Sequence, residues 1–208
     1  MAIIFTSCSQ RRFIDVIKVL MPATNEMEVL NTGLCDVKLL WPRQFKDDRG
    51  WFAEVFNSNT FSVAGLPDAF VQDNQSFSRR GELRGLHYQL GQPQAKLVRV
   101  LSGHIWEVAV DLRRDSPDFG RRTGTPLIGE GLELLWIPEG FAHGFVVLSE
   151  TANVLYKTTR YYDAEGERCI RWNDPTLAID WPMGCGSEPK VSPKNGAGTW
   201  FQDAEWPP

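Results

Sequence analysis

Short runs of Val, Leu, Ile and aromatic residues recur from residue 37 onward, and polar residues alternate with them in several of these runs. Such runs predict strands, because alternate side chains of a strand point to opposite faces of a sheet. We predict strands at residues 37–40, 51–56, 96–101, 105–112, 134–137, 145–148 and 153–159. The pattern contains no long helices in this region and indicates an all-β protein.

Residues that favour turns separate the predicted strands. Examples are Asp48-Arg49-Gly50, Gly91-Gln92-Pro93, Ser102-Gly103 and Asn173-Asp174-Pro175. Gly, Pro, Asn and Asp adopt the backbone angles of tight turns more readily than other residues. Many short strands joined by turns are typical of a sandwich or a barrel, and 208 residues suit one domain with a substantial core.

The two ends of the chain differ from the part between them. Residues 1–26 form an N-terminal extension that carries no motif connecting it to the rest of the chain, although residues 11–20 suit a short amphipathic helix. Met27 is an alternative start, so we expect residues 1–26 to be dispensable and residues 27–208 to form a single domain. The tail from residue 182 is rich in Pro, Gly, Ser and Lys, and we expect loops or short helices that cover the sandwich.

Charge and cysteine content narrow the functional classes. The chain has 26 acidic and 22 basic residues, and their even mixture gives no support to nucleic-acid binding. The four cysteines are far apart and include no Cys-x-x-Cys pair, which argues against a zinc site or a disulfide framework. No apolar run approaches the length of a membrane span, and residues 1–10 lack the charge pattern of a secretory signal. We therefore expect a soluble, cytoplasmic protein.

Two motifs carry the candidate chemistry. The first contains Arg84-Gly85-Leu86-His87-Tyr88-Gln89 and continues from Lys96 to Gly103, and the second is Pro138-Glu139-Gly140-Phe141-Ala142-His143. They resemble the two cupin motifs, whose metal-binding members have His-x-His, then Glu, then Gly after six residues, and later Pro-x-Gly-x-x-His. Here Gln89 replaces the second His and Lys96 replaces the Glu. A divalent ion needs deprotonated ligands, which a lysine ammonium is not, so we expect no metal.

Longer segments support a narrower resemblance. They are residues 48–54 (DRGWFAE), 71–74 (VQDN), 84–89 (RGLHYQ), 135–145 and 155–157 (LYK). In these segments the chain resembles the dTDP-4-dehydrorhamnose 3,5-epimerase family. The resemblance implies a homodimeric cupin-type jelly-roll β-sandwich that needs no cofactor. Its implied substrate is dTDP-4-keto-6-deoxyglucose, which it would invert at C3 and C5 in dTDP-L-rhamnose biosynthesis.

The resemblance and the chemistry agree on the catalytic residues. Removing a proton next to a ketone creates an enolate, whose charge lies mainly on oxygen, and the ammonium of Lys96 would stabilise that oxygen in a dry interior. His87 matches the family's general base, and an imidazole accepts a proton at neutral pH. Tyr156 matches the proton donor on the opposite face of the sugar. Tyr161 and Tyr162 are competitors for that role, whereas His104 follows a predicted turn and is expected to be solvated.

The resemblance also implies how the nucleotide sugar is held. Arg49, Arg84 and Lys194 would contact the diphosphate and the sugar, as cationic side chains suit a diphosphate. The thymine base would meet Gln72, Asp73, Asn74 and Glu54, with Trp51 or Tyr161 as candidates for stacking on it. His143 would bond the sugar or pair with the catalytic group.

One departure concerns the partner of the base. The family typically has an Asp in a Lys-Asp pair at this place, whereas this chain has Lys194-Asn195. Asn195 can orient the imidazole of His87 but cannot supply a full negative charge, and Asp203 is an alternative partner.

Three other classes of function are alternatives at the level of sequence. A 3-mono-epimerase or a 3,4-ketoisomerase would share the base, the fold and the nucleotide site. A metal-dependent cupin is disfavoured because the chain has only three histidines and no His-x-His-Glu set. A non-catalytic sugar-binding jelly roll would need no paired base and acid, and it would exchange no substrate protons in deuterated water.

Overall fold

The computed structural model describes residues 27–34, 36–184 and 187–207. Fourteen strands and three short helical segments make up its regular structure. The strands are β1 (Glu28–Asn31), β2 (Lys38–Trp41), β3 (Gln44–Asp47), β4 (Gly50–Ala53), β5 (Gln72–Arg79), β6 (Glu82–Gln89), β7 (Lys96–Ser102), β8 (His104–Asp111), β9 (Arg122–Ile128), β10 (Leu134–Ile137), β11 (Phe141–Val147), β12 (Thr151–Thr158), β13 (Glu167–Cys169) and β14 (Lys190–Val191). The helices are α1 (Ser58–Val63), α2 (Pro193–Gly196) and a 3-10 turn (Phe201–Asp203).

Two antiparallel sheets form the body of the molecule. The first sheet has the strand order β1-β2-β10-β7-β12-β5, and the second has the order β13-β6-β11-β8-β9, with β14 added in parallel to β6. Strands β3 and β4 form a separate hairpin. Neighbours within each sheet are mostly distant in sequence, which is the arrangement of a jelly roll. The prediction of an all-β jelly-roll sandwich is confirmed.

The main core lies between the two sheets. Side chains from β7, β10 and β12 of the first sheet meet side chains from β8 and β11 of the second. Val98, Ile105, Leu135, Phe141 and Val154 are buried in this layer. Burial of one such side chain contributes about 1.5–3 kcal/mol. Core residues occupy every second position of these strands, and the side chains at those positions face the interior.

The outer faces of both sheets are also covered. Leu177 and Trp181, which precede the predicted tail, and Phe201 within it pack on the outer side of the second sheet. The tail forms loops and short helices, as predicted. Helix α1 packs Phe61 on the outer side of the first sheet, against Trp136 and its neighbours. Both sheets are thus buried on two faces over much of their area, which explains strands such as β11 in which every residue is buried.

Several elements differ from the sequence prediction. The predicted strand 51–56 ends at Ala53, and the chain then enters α1, where the side chain of Asn57 accepts hydrogen bonds from the backbone of Asn59 and Thr60. Strand β5 was not predicted because its sequence, QDNQSFSR, is almost entirely polar; it forms because all eight of its residues pair with β12. Strands β1, β3, β6, β9, β13 and β14 were also not predicted.

Two further expectations concern the N-terminal extension and the possibility of a membrane span. Residues 1–26, including the suggested helix at 11–20, lie outside the described residues, so the proposal that they are dispensable stays a prediction. Among the helices that the structure describes, none has the length and apolar character needed to cross a membrane.

Gly103 offers a test of the packing at the turn between β7 and β8. Its φ is +85°, and a Cβ added to it would lie 2.1 Å from the carbonyl oxygen of Thr151. Gly81 has a similar φ of +78°, but a Cβ there would meet no atom within 4 Å. We expect Gly81→Ala to cost about 1 kcal/mol of unfolding free energy, from the left-handed backbone alone. We expect Gly103→Ala to cost about 1–3 kcal/mol more, because the backbone must also shift.

Urea denaturation of the two variants and the unchanged protein checks this. Equal losses for the two alanine variants would show that the contact with Thr151 is relieved without cost.

Candidate active site

A cavity of about 210 Å³ opens between the two sheets at one end of the sandwich. The first sheet contributes polar side chains from β5, β7 and β12, and the second contributes them from β6, β11 and β13. Its lining residues are Gln72, Asn74, His87, Tyr88, Gln89, Gln94, Lys96, His143, Tyr156, Tyr162 and Glu167. Polar residues here occupy inward positions that carry apolar side chains elsewhere in the sandwich, so the site replaces part of the core.

Strand register explains how these residues meet. Lys96 and Tyr156 have the same parity along β7 and β12 as the inward-facing Val98 and Val154. His143 lies on β11 between the inward-facing residues Phe141 and Phe145, and it pairs directly with His87 of β6. The base candidate and the acid candidate therefore come from opposite walls.

His87 has one hydrogen-bond partner among the described residues. Its Nε2 lies 2.9 Å from Oδ1 of Asn195, which is 5% exposed. The amide nitrogen of Asn195 faces the carbonyl oxygen of Leu83 at 3.5 Å, which places Oδ1 toward the imidazole. Because Oδ1 can only accept, Nε2 of His87 must carry the proton, and Nδ1 is left as the basic nitrogen. Asp203, the alternative partner, is exposed in the 3-10 turn and makes no contact with His87.

The surroundings of His87 keep its pKa below the ordinary value. Burial is the main cause, and the positive charges of Lys96 and Lys194 act in the same direction. The hydrogen bond to Asn195 and the charge of Glu167 oppose this effect without cancelling it. The neutral, base-competent imidazole is therefore the stable form at neutral pH.

Lys96 lies in a buried group with Glu107 and His143. Its side chain is 7% exposed, and burial lowers its pKa to about 8, while the charge of Glu107 opposes that shift. Burial raises the pKa of Glu107 and holds the pKa of His143 well below its ordinary value. Nδ1 of His143 and Oε1 of Glu107 are 2.7 Å apart. At neutral pH the Lys96 ammonium is thus charged, in a region with little water to screen it.

Tyr156 stands across the cavity from His87. Burial raises the pKa of its phenol above the ordinary value, although the charge of Arg84 acts in the opposite direction. The phenol is therefore protonated at neutral pH and can donate a proton. The ring of Tyr156 packs edge-on against His143, with 6.5 Å between centroids.

A second cavity of about 400 Å³ adjoins the first and shares His87 and Glu167 with it. Arg84, Lys190 and Lys194 line it, so its walls carry three cationic side chains. The guanidinium of Arg84 donates to Oγ of Ser78 at 2.8 Å, and Lys194 pairs with Glu167. Glu82 and Glu167 also line this cavity, so its three cationic side chains exceed its acidic ones by one, and cationic side chains suit a diphosphate.

The structure keeps several predicted site residues away from these cavities. Asp73 points outward, because neighbouring strand residues face opposite sides, and its carboxylate pairs with Lys157 at 2.9 Å. Arg49 lies at the tip of the hairpin, where its side chain is 90% exposed and pairs with Asp47. Glu54 lines a different cavity beside α1.

The stacking candidates also differ from expectation. Trp51 lies on the hairpin, and Tyr161 points into solvent. Tyr162, rather than Tyr161, lines the cavity, and its hydroxyl donates to Oε2 of Glu167 at 2.5 Å. The remaining predicted residues line one or both cavities. They are Gln72, Asn74, Arg84, His87, Lys96, His143, Tyr156, Lys194 and Asn195.

Sequence reasoning missed two acidic residues of the site. Glu107 is one of two carboxylates in the otherwise apolar stretch Ile105–Leu112, and a carboxylate inside an apolar run is a signal of a specific partner. Glu167 gave no such signal, because it lies in a mixed polar stretch and reaches the site only through the pairing of β13 with β6.

Gln89 and Lys96 occupy two positions that supply metal ligands in metal-binding cupins, and neither side chain is available as a ligand here. Both the donor and acceptor atoms of the Gln89 amide bond to backbone groups, and Lys96 is an ammonium. Across the described ranges, no group of three or more His, Cys, Asp or Glu side chains could hold a metal ion.

The sequence model of the dTDP-4-dehydrorhamnose 3,5-epimerase family matches residues 31–203. The chain belongs to this family. Among these epimerases, the protein of Pseudomonas aeruginosa is 53% identical over 180 residues, which cover 86% of this chain and 98% of that protein. The Salmonella typhimurium epimerase is 47% identical over 86% of this chain and 97% of its own length.

A solved structure supports the same assignment. The Legionella pneumophila 3,5-epimerase, crystallised with dTDP-4-keto-L-rhamnose, is 45% identical with a TM-score of 0.83, over 88% of this chain and 98% of that chain. The fold shared with this epimerase family is the cupin-type jelly roll, and the enzymes of the family are isomerases.

The contact between His87 and Asn195 can be tested by titration. We expect the imidazole of His87 to titrate below its ordinary pKa, and Asn195→Asp to raise that pKa by about one unit or more, because a carboxylate beside Nε2 stabilises the imidazolium. NMR titration of ¹³C,¹⁵N-labelled histidine measures the pKa and also reports whether Nε2 carries the proton. His104→Gln serves to assign the signals. An unchanged His87 pKa in Asn195→Asp would show that residue 195 does not contact the ring in solution.

Proposed function

We propose that this protein is an isomerase that inverts C3 and C5 of dTDP-4-dehydro-6-deoxy-D-glucose. The product is dTDP-4-dehydro-L-rhamnose, a precursor in dTDP-L-rhamnose biosynthesis. The observation that carries the proposal is the position of a base and an acid on opposite walls of one cavity, with a buried cation between the same sheets. Inversion at carbon requires that arrangement, because the proton must leave from one face and return to the other.

In the first step, Nδ1 of His87 removes the proton from a carbon next to the C4 ketone. The electron pair of the C–H bond forms the C=C bond of an enolate, and the carbonyl electrons move to the C4 oxygen. The tautomer favoured by Asn195 leaves Nδ1 unprotonated for this purpose. The lowered pKa of His87 keeps the ring neutral at the pH of the cell, so the base is ready before substrate arrives.

In the second step, the hydroxyl of Tyr156 gives its proton to the same carbon from the opposite face. The electron pair of the C=C bond forms the new C–H bond, an electron pair of the C4 oxygen restores the C=O bond, and the configuration is inverted. His87 then holds one additional proton and Tyr156 lacks one, and exchange with water restores both. The same two groups would act on C3 and on C5 in turn.

Lys96 would stabilise the enolate oxygen between these steps. The ammonium is present below a pH of about 8 and is lost above it, so catalysis is expected to weaken on the alkaline side. An interaction of this type contributes on the order of 10²–10³ in rate. Arg84 and Lys194 would hold the diphosphate, with His143 bonding the sugar and Gln72 and Asn74 on the wall near the base.

Proton exchange in deuterium oxide tests this mechanism. NMR of dTDP-4-keto-6-deoxyglucose should show deuterium entering at both C3 and C5, and His87→Ala should abolish exchange at both positions. Tyr156→Phe should keep exchange but lose inversion, since the proton can return from the original side. Lys96→Gln should slow exchange by about 10²–10³-fold through loss of enolate stabilisation.

His104→Ala, outside the cavity, is the matched control and should remain fully active. Exchange at C3 alone would identify a 3-mono-epimerase. An inactive protein that binds the nucleotide sugar would support a non-catalytic jelly roll. Exchange without inversion in Tyr162→Phe, with a fully active Tyr156→Phe, would assign the acid to Tyr162.

We further propose that the working form is a homodimer in the cytoplasm. Arg49 and Glu54 have a substrate role only if they reach a cavity that their own chain does not place near them. The hairpin that carries Arg49 is a separate two-stranded sheet, and it exposes Trp51 and Phe52 at 53% and 67%. A second copy would cover this apolar surface, and Arg49 of one chain would then reach the cavity of the other chain. Cytoplasmic location is supported by the widely spaced cysteines.

Mixing two inactive variants tests the exchange of hairpins. In a random mixture of Arg49→Ala and His87→Ala subunits, half of the dimers are hybrids, and each hybrid has one intact site if Arg49 serves its partner. Activity should recover to about a quarter of the unchanged protein. If Arg49 acts within its own chain, no hybrid has an intact site and activity stays absent. Mass measurement in solution confirms that hybrids form.

A further inference from the structure

The segment that joins β12 to β13 is held in an unusual way. Residues 160–163, which we call the tyrosine segment, bond to the rest of the cavity wall through glutamine side chains. Gln94 Nε2 donates to the carbonyl oxygen of Arg160 at 2.8 Å. The backbone N–H of Tyr162 donates to Oε1 of Gln72 at 3.0 Å. Each of these side chains also lines the cavity.

Gln89 makes the largest number of these contacts. Its Nε2 donates to the carbonyl oxygens of Tyr161, at 3.2 Å, and Gln92, at 2.5 Å. Its Oε1 accepts from the backbone N–H of Asp163 at 3.0 Å. The side chain is 5% exposed, so these bonds have little competition from water. A single buried amide therefore fixes two peptide groups of the tyrosine segment and a third in the neighbouring loop.

The held segment determines where Tyr162 lies. The hydroxyl of Tyr162 reaches Oε2 of Glu167, which also pairs with Lys194. Tyr162 and Glu167 both line the cavity that contains His87. Tyr162 is 55% exposed, so little packing holds it in this place, and the position depends on the backbone that carries it.

We propose that Gln89 is a positioning residue for the substrate: with Gln72 and Gln94 it fixes the tyrosine segment, so that Tyr162 and Glu167 form the outer wall against the sugar. Hydroxyl and carboxylate groups are suitable partners for sugar hydroxyls. The identity of the sugar rests on the function proposed above, whereas the anchoring does not. Loss of the anchor should weaken substrate binding and leave the chemistry at His87 nearly intact.

Gln89→Glu is the sharpest test, because it keeps the shape of the side chain but removes both N–H donors. A carboxylate would also face the carbonyl oxygens of Tyr161 and Gln92. Gln75→Glu is the matched control, since Gln75 is an exposed residue of β5 that bonds only to Asn153 among the described residues. Gln94→Glu removes only the hydrogen bond to the carbonyl oxygen of Arg160. It is the test variant if Gln89→Glu fails to fold.

Limited proteolysis measures how often the tyrosine segment opens, and it does not depend on enzyme activity. Trypsin cleaves after Arg160, and mass spectrometry identifies that cut. We expect cleavage to be about tenfold faster in Gln89→Glu, and unchanged in Gln75→Glu, because unpaired buried carbonyls favour local opening. Saturating dTDP-glucose, which has the sugar but no ketone, should protect the unchanged protein more than dTDP does. Protection that is equal for the two ligands would contradict a contact between the wall and the sugar.

Steady-state kinetics separates positioning from general damage. Gln89→Glu should raise KM about tenfold, with kcat within about threefold, since the contact between His87 and Asn195 is kept. Gln94→Glu should change KM in the same direction by a smaller factor. Unchanged cleavage and KM in Gln89→Glu would overturn the proposal, as would faster cleavage with no change in KM. If the unchanged protein exchanges no substrate protons, the function proposed above fails, while the proteolysis result still decides the anchoring.

Discussion

The positive charge buried between the two sheets is the constraint on which the site depends. The ammonium of Lys96 lies at a position that would otherwise belong to the core, and a charge there is stable only with nearby partners. Glu107 offsets part of the cost, and His143 is in turn tied to Glu107 at 2.7 Å. The result is an interior that is apolar over most of its length and highly polar at one end. A developing negative charge on a substrate would meet a fixed cation there, with little water between them.

The same interior sets the properties of the base and the acid. Burial lowers the pKa of His87 and raises the pKa of Tyr156, so each is held in the protonation state that its proposed role requires. Asn195 fixes the orientation of the imidazole without adding a charge. Because the amide is neutral, the charges that act on the pKa of His87 are those of Lys96, Lys194 and Glu167. The base is therefore weaker than one beside a carboxylate, but it is unprotonated over a wider range of pH.

Glutamine side chains have a corresponding role at the rim of the cavity. Gln89 occupies a cupin metal-ligand position in the sequence, and in the structure it bonds to the backbone of two loops. This side chain, 5% exposed, thus has a structural role in the wall of the cavity. The hairpin around Arg49 forms a separate two-stranded sheet, and a role for it at the substrate rests on the proposed assembly of two chains.

The sequence by itself determined the fold class and the family, and it predicted most of the side chains that line the two cavities. Local signals can be read without coordinates: they are the apolar runs in strands such as β7 and β12, the turn residues between strands, and the altered motifs around His87 and Lys96. Polar strands such as β5 could not be predicted, because only their pairing with a neighbour makes them strands. The tertiary structure alone decided that Asp73 faces outward, that Glu107 and Glu167 join the site, and that Tyr162 lines the cavity. These outcomes depend on the register between strands and on burial, which arise from contacts between residues distant in sequence.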